Sequence, residues 1–243
     1  IYVGTICCGK QRPYMLFGSK AGLPVPRTDV INVDALTDAY LAAAFADVNG
    51  DGYPDLVLGG DANRKCAIYL NRNGSFFAAA PDMGLPDGYF GSKTNVLDIL
   101  PVDIDGDGFI DLVLSETAFG YVGSAIQILH NEAGKKFSDW TKTHLVNGGG
   151  NSISGGSVKL KIQIADFYGD GVPDLVAQAA KFDKDDAIIW TNNGAGKFTP
   201  HKRSFFSDAS KEPVLADDFN ITAPIDVNRD GKSDLVRLGN YNE

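Results

Sequence analysis

The residues best suited to chemistry in this chain are carboxylates, and they come in four short clusters. Asp47, Asn49, Asp51 and Asp55 make the first; Asp103, Asp105, Asp107 and Asp111 the second; Asp166, Tyr168, Asp170 and Asp174 the third; Asp226, Asn228, Asp230 and Asp234 the fourth. These residues fall at positions 1, 3, 5 and 9 of each cluster, and all but Tyr168 carry an oxygen side chain of the carboxylate or amide type. Two carboxylates about 4 Å apart repel by roughly 4 kcal/mol at an effective dielectric near 20. Such a loop closes only around a cation. Glycine at position 6 permits a sharp bend, and the residue at position 7 (Tyr53, Phe109, Val172 or Lys232) offers its main-chain carbonyl. Hard oxygen donors around a turning backbone suit Ca²⁺, which takes roughly six to eight of them. The expectation is about four Ca²⁺ ions per chain.

Other metals fit less well. Mg²⁺ keeps several waters and is rarely caged by protein alone. No His or Cys lies within the loops, which argues that zinc is excluded. An EF-hand needs a Glu at its last position and flanking helices. Here that position holds Leu58, Leu114, Ala177 or Arg237, and the flanks read as strands. The second loop, with four Asp residues, is expected to bind tightest. The third, with Tyr168, is expected to bind weakest, and Arg229 adds a positive charge inside the fourth.

The elements that position these loops repeat with them. The first Asp residues are spaced by 56, 63 and 60 positions, a period that marks a stacked or radial array. Repeats begin near residues 41, 97, 158 and 219. Each has an apolar lead-in, the loop, a β-type run such as Leu56-Val57-Leu58, a variable stretch and a further strand. A Gly/Asn turn and a short strand opening on Phe76, Phe137 or Phe198 then follow. That is four antiparallel strands per repeat. The expected fold is all-β: a β-propeller of four-stranded antiparallel blades in a single domain over residues 1–243. Small residues Ala42, Ala43 and Ala44 suit an innermost strand near the axis. Four blades are favoured, with the strand at 12–17 completing the blade that ends near Leu238 and closing the ring. Ile1 to Cys8 also reads as a second strand, which leaves open a fragment of a larger propeller.

Bulk properties set the remaining bounds. The formal charge of −9 and the 13 Asp residues in the loops belong together; four Ca²⁺ would leave about −1. No basic cluster points to nucleic acid, and no long apolar run points to membrane insertion. The chain starts at Ile1 without a charged leader, as a processed mature form or an excised piece would. Cys66 could bridge to Cys7 or Cys8. The sequons at Asn73 and Asn220 lean toward a secreted or cell-surface setting. His130, His144 and His201 sit in no recognisable catalytic or metal spacing.

The loops, with their pattern of Asp, any residue, Asp or Asn, any residue, Asp-Gly and then Asp-Leu, resemble the FG-GAP/VCBS repeat family. Its propellers include the integrin α-subunit head and some fungal lectins. The resemblance runs from about residue 41 to the end, and the third loop departs from it at Tyr168. It implies calcium binding and a recognition or adhesion role.

On the face away from the loops, the connections carry Tyr89, Phe90, Phe119, Tyr121, Phe182 and Lys184. Exposed aromatics on one rim make a binding surface for a glycan or an extracellular protein. The reading is a non-catalytic recognition module. The alternative is an enzyme acting on a polysaccharide or small molecule at the channel mouth. The oligomeric state is not legible from the sequence.

Overall fold

The computed structural model describes residues 2–3, 14–20, 22–31, 40–62, 64–146, 151–152, 158–179, 188–201, 220–221, 224–235 and 237–238. Its regular secondary structure is almost entirely strand. The first sheet holds β1 (Tyr2–Val3), β2 (Tyr14–Ser19) and β3 (Gly22–Arg27). Three four-stranded antiparallel blades follow in chain order. The first blade is β4 (Tyr40–Ala46), β5 (Asp55–Gly60), β6 (Ala67–Asn71) and β7 (Phe77–Ala79). The second is β8 (Thr94–Val102), β9 (Asp111–Ala118), β10 (Val122–Asn131) and β11 (Phe137–Asp139), followed by one helical turn, α1 (Thr141–His144). The third is β12 (Lys159–Ala165), β13 (Asp174–Ala179), β14 (Ile189–Asn192) and β15 (Phe198–His201). The last sheet pairs β16 (Asn220–Ile221) with β17 (Arg237–Leu238). The expected all-β propeller of four-stranded antiparallel blades is what forms.

The Asp-Leu-Val run that follows each loop explains why the blades stack. Side chains alternate faces along a strand. Leu56 and Leu58 pack back against Met15, Val30 and Ile31 of the N-terminal segment. Val57, between them, packs forward against Val96, Leu112 and Leu114 of the second blade. Val113 in turn faces Leu175, Ala177 and Trp190 of the third, and Val176 clusters with Leu235, just before β17. Each blade is thus apolar on both faces, and each fully buried Leu or Val contributes about 1.5–3 kcal/mol. A one-residue slip would exchange the two faces and lose both contacts.

The N-terminal strands were expected to complete the C-terminal blade. Among the described residues they form a sheet of their own, hydrogen-bonded to neither β16 nor β17. They abut the first blade: the Phe77 amide donates to the Val30 carbonyl at 2.7 Å, and Ile31 bridges to Phe77 in parallel. The same joint recurs where Leu145 bridges to Phe198. The apolar back face of β5, which Met15 and Ile31 cover, holds the first of these joints. No helix of the described residues is long and apolar enough to cross a membrane.

Candidate metal centre

Every carboxylate loop joins the innermost strand of a sheet to the next strand, and all fold by the same hydrogen bonds. The position-1 carboxylate gathers main-chain amides: Asp47 Oδ1 accepts from Gly50 at 2.8 Å and Oδ2 from Gly52 at 2.7 Å. Asp103 and Asp166 repeat both contacts, and Asp226 repeats the second through Gly231. At position 5, Asp51, Asp107, Asp170 and Asp230 each accept the amide two residues on. At position 3, Asn49, Asp105 and Asn228 accept from position 5. Tyr168 has no such oxygen and lies exposed.

Position 4 holds a constraint the sequence reading overlooked. Gly50, Gly106 and Gly169 have φ of 75°, 78° and 71°, in the left-handed region. Arg229 occupies that place in the fourth loop with φ 62°, where a side chain costs roughly 1–2 kcal/mol. It is exposed, so its charge points away from the core.

The position-9 carboxylates differ from the rest. Asp55, Asp111 and Asp174 are at most 1% exposed. One oxygen of each accepts the amide at position 2 (Val48, Ile104 and Phe167, at 3.0 Å). The other accepts the amide of an Asn that ends the third strand (Asn71, Asn131 and Asn192, at 2.7–2.8 Å). These Asp residues fasten the loop to its blade and keep one lone-pair direction per oxygen for a cation. Burial pushes Asp55 and Asp174 upward, against those amide bonds, and pushes Asp111 up to about 6. A bound divalent ion reverses that shift and keeps the group ionised.

The second loop is the most concentrated. Carboxylate oxygens of Asp103, Asp105 and Asp107 lie within 4.8 Å of one another. A second convergence involves a residue outside the loop: Asp105, Asp111 and His130 also place one donor atom each within 4.8 Å. The statement that no His accompanies these loops therefore holds for sequence but not for space.

At the opposite ends of the same strands lies a cavity of about 640 Å³ between the first and second blades. Arg64, Lys65, Asp87, Lys93 and Phe119 line it, with Gly60, Gly88 and Gly91 exposing main chain and Val96 contributing an apolar surface. Lys65 and Asp87 pair at 2.6 Å. Of the expected ligand residues, Phe119 lines the cavity. Tyr89 and Phe90 pack edge to face at 5.2 Å, and Tyr121 is exposed. Phe182 and Lys184 lie outside the described residues, as do Cys7 and Cys8. Cys66 is a free thiol whose pKa burial pushes up to about 11. Glu116 lies fully buried with one oxygen accepting the Tyr89 amide at 2.7 Å, and burial pushes it up to about 8.

The repeat geometry has its counterpart in known proteins. The model of the FG-GAP-like repeat matches residues 47–114 and 103–177, so two overlapping copies span more than half of the chain. The chain belongs to the FG-GAP-like repeat family. Human integrin alpha-7 is 29% identical over 125 residues, covering 43% of this chain and 10% of that protein. The chain therefore spans about a tenth of that relative's length. A solved structure of a lectin from Agrocybe aegerita, described as specifically recognising non-reducing terminal N-acetylglucosamine, is 16% identical. It covers 93% of this chain and 68% of its own, with a TM-score of 0.45.

Proposed function

We propose that this FG-GAP-like propeller is a non-catalytic recognition module, held rigid by calcium in its carboxylate loops, that binds its ligand at the opposite ends of the strands. The cavity between the first and second blades carries this reading. Its volume of about 640 Å³ falls in the roughly 300–1,000 Å³ range of ligand sites. It combines one aromatic face, Phe119, with Arg64, Lys65, Asp87 and Lys93. An aromatic face flanked by charged hydrogen-bonding groups and exposed main chain suits a hydroxyl-rich ring, so a glycan is favoured over a protein ligand. The setting that fits is extracellular, secreted or on a cell surface, where the millimolar calcium such open loops need is present.

The loops fit the ion. In the second loop the carboxylates at positions 1, 3 and 5 converge around a left-handed Gly106, and in the first three loops the position-9 carboxylates anchor the loop to its blade. Bound Ca²⁺ supplies charge neutralisation. The residues at position 7, Tyr53, Phe109, Val172 and Lys232, would add their carbonyls. The chain's own side chains do the remainder: they fix loop shape, and through it the spacing of successive blades.

A glycan array with the calcium-loaded chain, repeated with Phe119→Ala, tests the reading. Binding should fall by about 5- to 150-fold in the variant, in line with the roughly 1–3 kcal/mol of an aromatic contact covered by ligand. Undiminished binding by the variant would place the ligand elsewhere and remove the cavity from the account.

A further inference from the structure

We infer that the cavity between the first and second blades takes an acidic saccharide, one carrying a carboxylate or a sulfate, with Lys93 as the residue that receives the anion. The inference rests on this cavity being the glycan site and names the class of sugar it selects.

Acids outnumber bases in this chain, 31 to 22, yet the cavity wall reverses the balance. Arg64, Lys65 and Lys93 line it against Asp61 and Asp87. Lys65 and Asp87 neutralise each other at 2.6 Å. Arg64 is braced: its guanidinium lies 5.1 Å over the Tyr40 ring, and Nη1 donates to Tyr40 Oη at 3.2 Å. Lys93 is exposed, and no carboxylate of the described residues is paired with it. Glu116, which accepts the Tyr89 amide two residues from Asp87, adds little negative charge at neutral pH, because burial pushes it up to about 8.

The backbone sets the free cation beside the aromatic face. The Lys93 carbonyl accepts the Phe119 amide at 2.7 Å. That bond joins the turn Gly91–Lys93 to the connection between β9 and β10, and both side chains line the cavity. Close approach of the walls is built in as well. A Cβ on Gly60 would collide with the Arg64 carbonyl oxygen, and one on Gly88 would lie 2.5 Å from the Thr94 methyl group. The segments carrying Arg64 and Asp87 therefore fold back on the cavity only with glycine at those places.

Lysine and arginine side chains donate hydrogen bonds and accept none. A sugar hydroxyl answers an ammonium only in part. A carboxylate or sulfate answers it with opposite charge, and charge-assisted bonds are roughly twice as strong as neutral ones. A pyranose ring lying on Phe119 presents its apolar face to the aromatic and a ring substituent to Lys93, so an anionic substituent gains most from this wall.

The test titrates the whole calcium-loaded chain by calorimetry with two matched pairs: an oligogalacturonate and its methyl ester, and a sulfated galactan oligosaccharide and its desulfated form. In at least one pair the acidic member should bind about tenfold tighter or more than the neutral one, and the pair that shows it tells carboxylate from sulfate. The preference should shrink between about 0.1 and 1 M salt, a readout in the unmodified chain. Lys93→Gln should lower acidic binding about tenfold and leave neutral binding within about twofold. Lys136→Gln removes an equal charge at the loop ends, where Lys136 pairs with Glu132 at 3.0 Å, and should change neither. Equal binding of acidic and neutral members overturns the inference while the glycan reading stands. An acidic preference that Lys93→Gln leaves intact, as an anion held by loop calcium would give, overturns it too. Binding of no saccharide overturns both.

Discussion

The side-chain amide of Asn192 donates to the main-chain carbonyl of Ile104 at 2.7 Å, crossing the joint between the second and third blades. Asn131 does the same one blade earlier, reaching the Val48 carbonyl at 2.8 Å. The main-chain amides of both Asn residues meanwhile hold the position-9 Asp of their own blades. The first and second carboxylate loops are therefore each tied to the following blade by one Asn side chain.

Replacing Asn192 by Ala removes its donations to the Ile104 and Pro173 carbonyls and strands both. Lost hydrogen bonds with a buried carbonyl left unpaired cost about 2–4 kcal/mol. At about 2–4 °C per kcal/mol for a chain of this size, the melting temperature should drop by several degrees or more. A thermal melt indistinguishable from the parent would show that the joint is held by apolar packing alone.

Chelation should destabilise the chain in proportion to the sites emptied. A cation present at about 100 times its Kd stabilises by roughly 2.7 kcal/mol per site, which corresponds to about 5–11 °C. Differential scanning calorimetry with and without EGTA measures this. An unaltered melting temperature would end the stabilising role assigned to the ion.

The third loop lacks a carboxylate or amide oxygen at position 3 because Tyr168 stands there. Tyr168→Asp restores the family pattern on an exposed residue, so the fold should tolerate it. Calcium affinity of that loop should rise about tenfold or more, given the strength of an added carboxylate at close range. Calorimetric titration that resolves no tightened site would mean that loop geometry, not charge, limits it.

Glu116 makes stability depend on pH. Its carboxyl is raised by burial from 4.5 to about 8, so between those values the folded chain holds a proton that the unfolded chain has released. Stability is then fully favoured below pH 4.5 and declines as pH climbs toward 8, by roughly a few kcal/mol. Glu116→Gln keeps an oxygen for the Tyr89 amide and removes the titration. Melting temperatures at fixed calcium should fall from pH 5 to pH 8 in the parent and stay flatter in the variant; parallel profiles would refute the assignment.

The blades and their loops were legible because their signals are local. Asp47 to Leu58 carries carboxylates, bend and face alternation within one short stretch. His130 was not legible, since it joins Asp105 and Asp111 only through pairing of β10 with β9. Arg64, Lys93 and Phe119 come from three different connections, and no spacing announces that they share a cavity. The left-handed requirement at position 4 could have been read from Gly50, Gly106 and Gly169, and Arg229 concealed it.

The Asn bridge has a consequence for how such chains lengthen and shorten. Its acceptor is a main-chain carbonyl, which every residue type supplies, and its donor belongs to the incoming repeat. Neither half depends on the identity of the neighbour's side chains. A unit of about sixty residues could be duplicated, deleted or exchanged with its couplings intact, so the length of the array is free to drift while the fit between adjacent members is inherited whole.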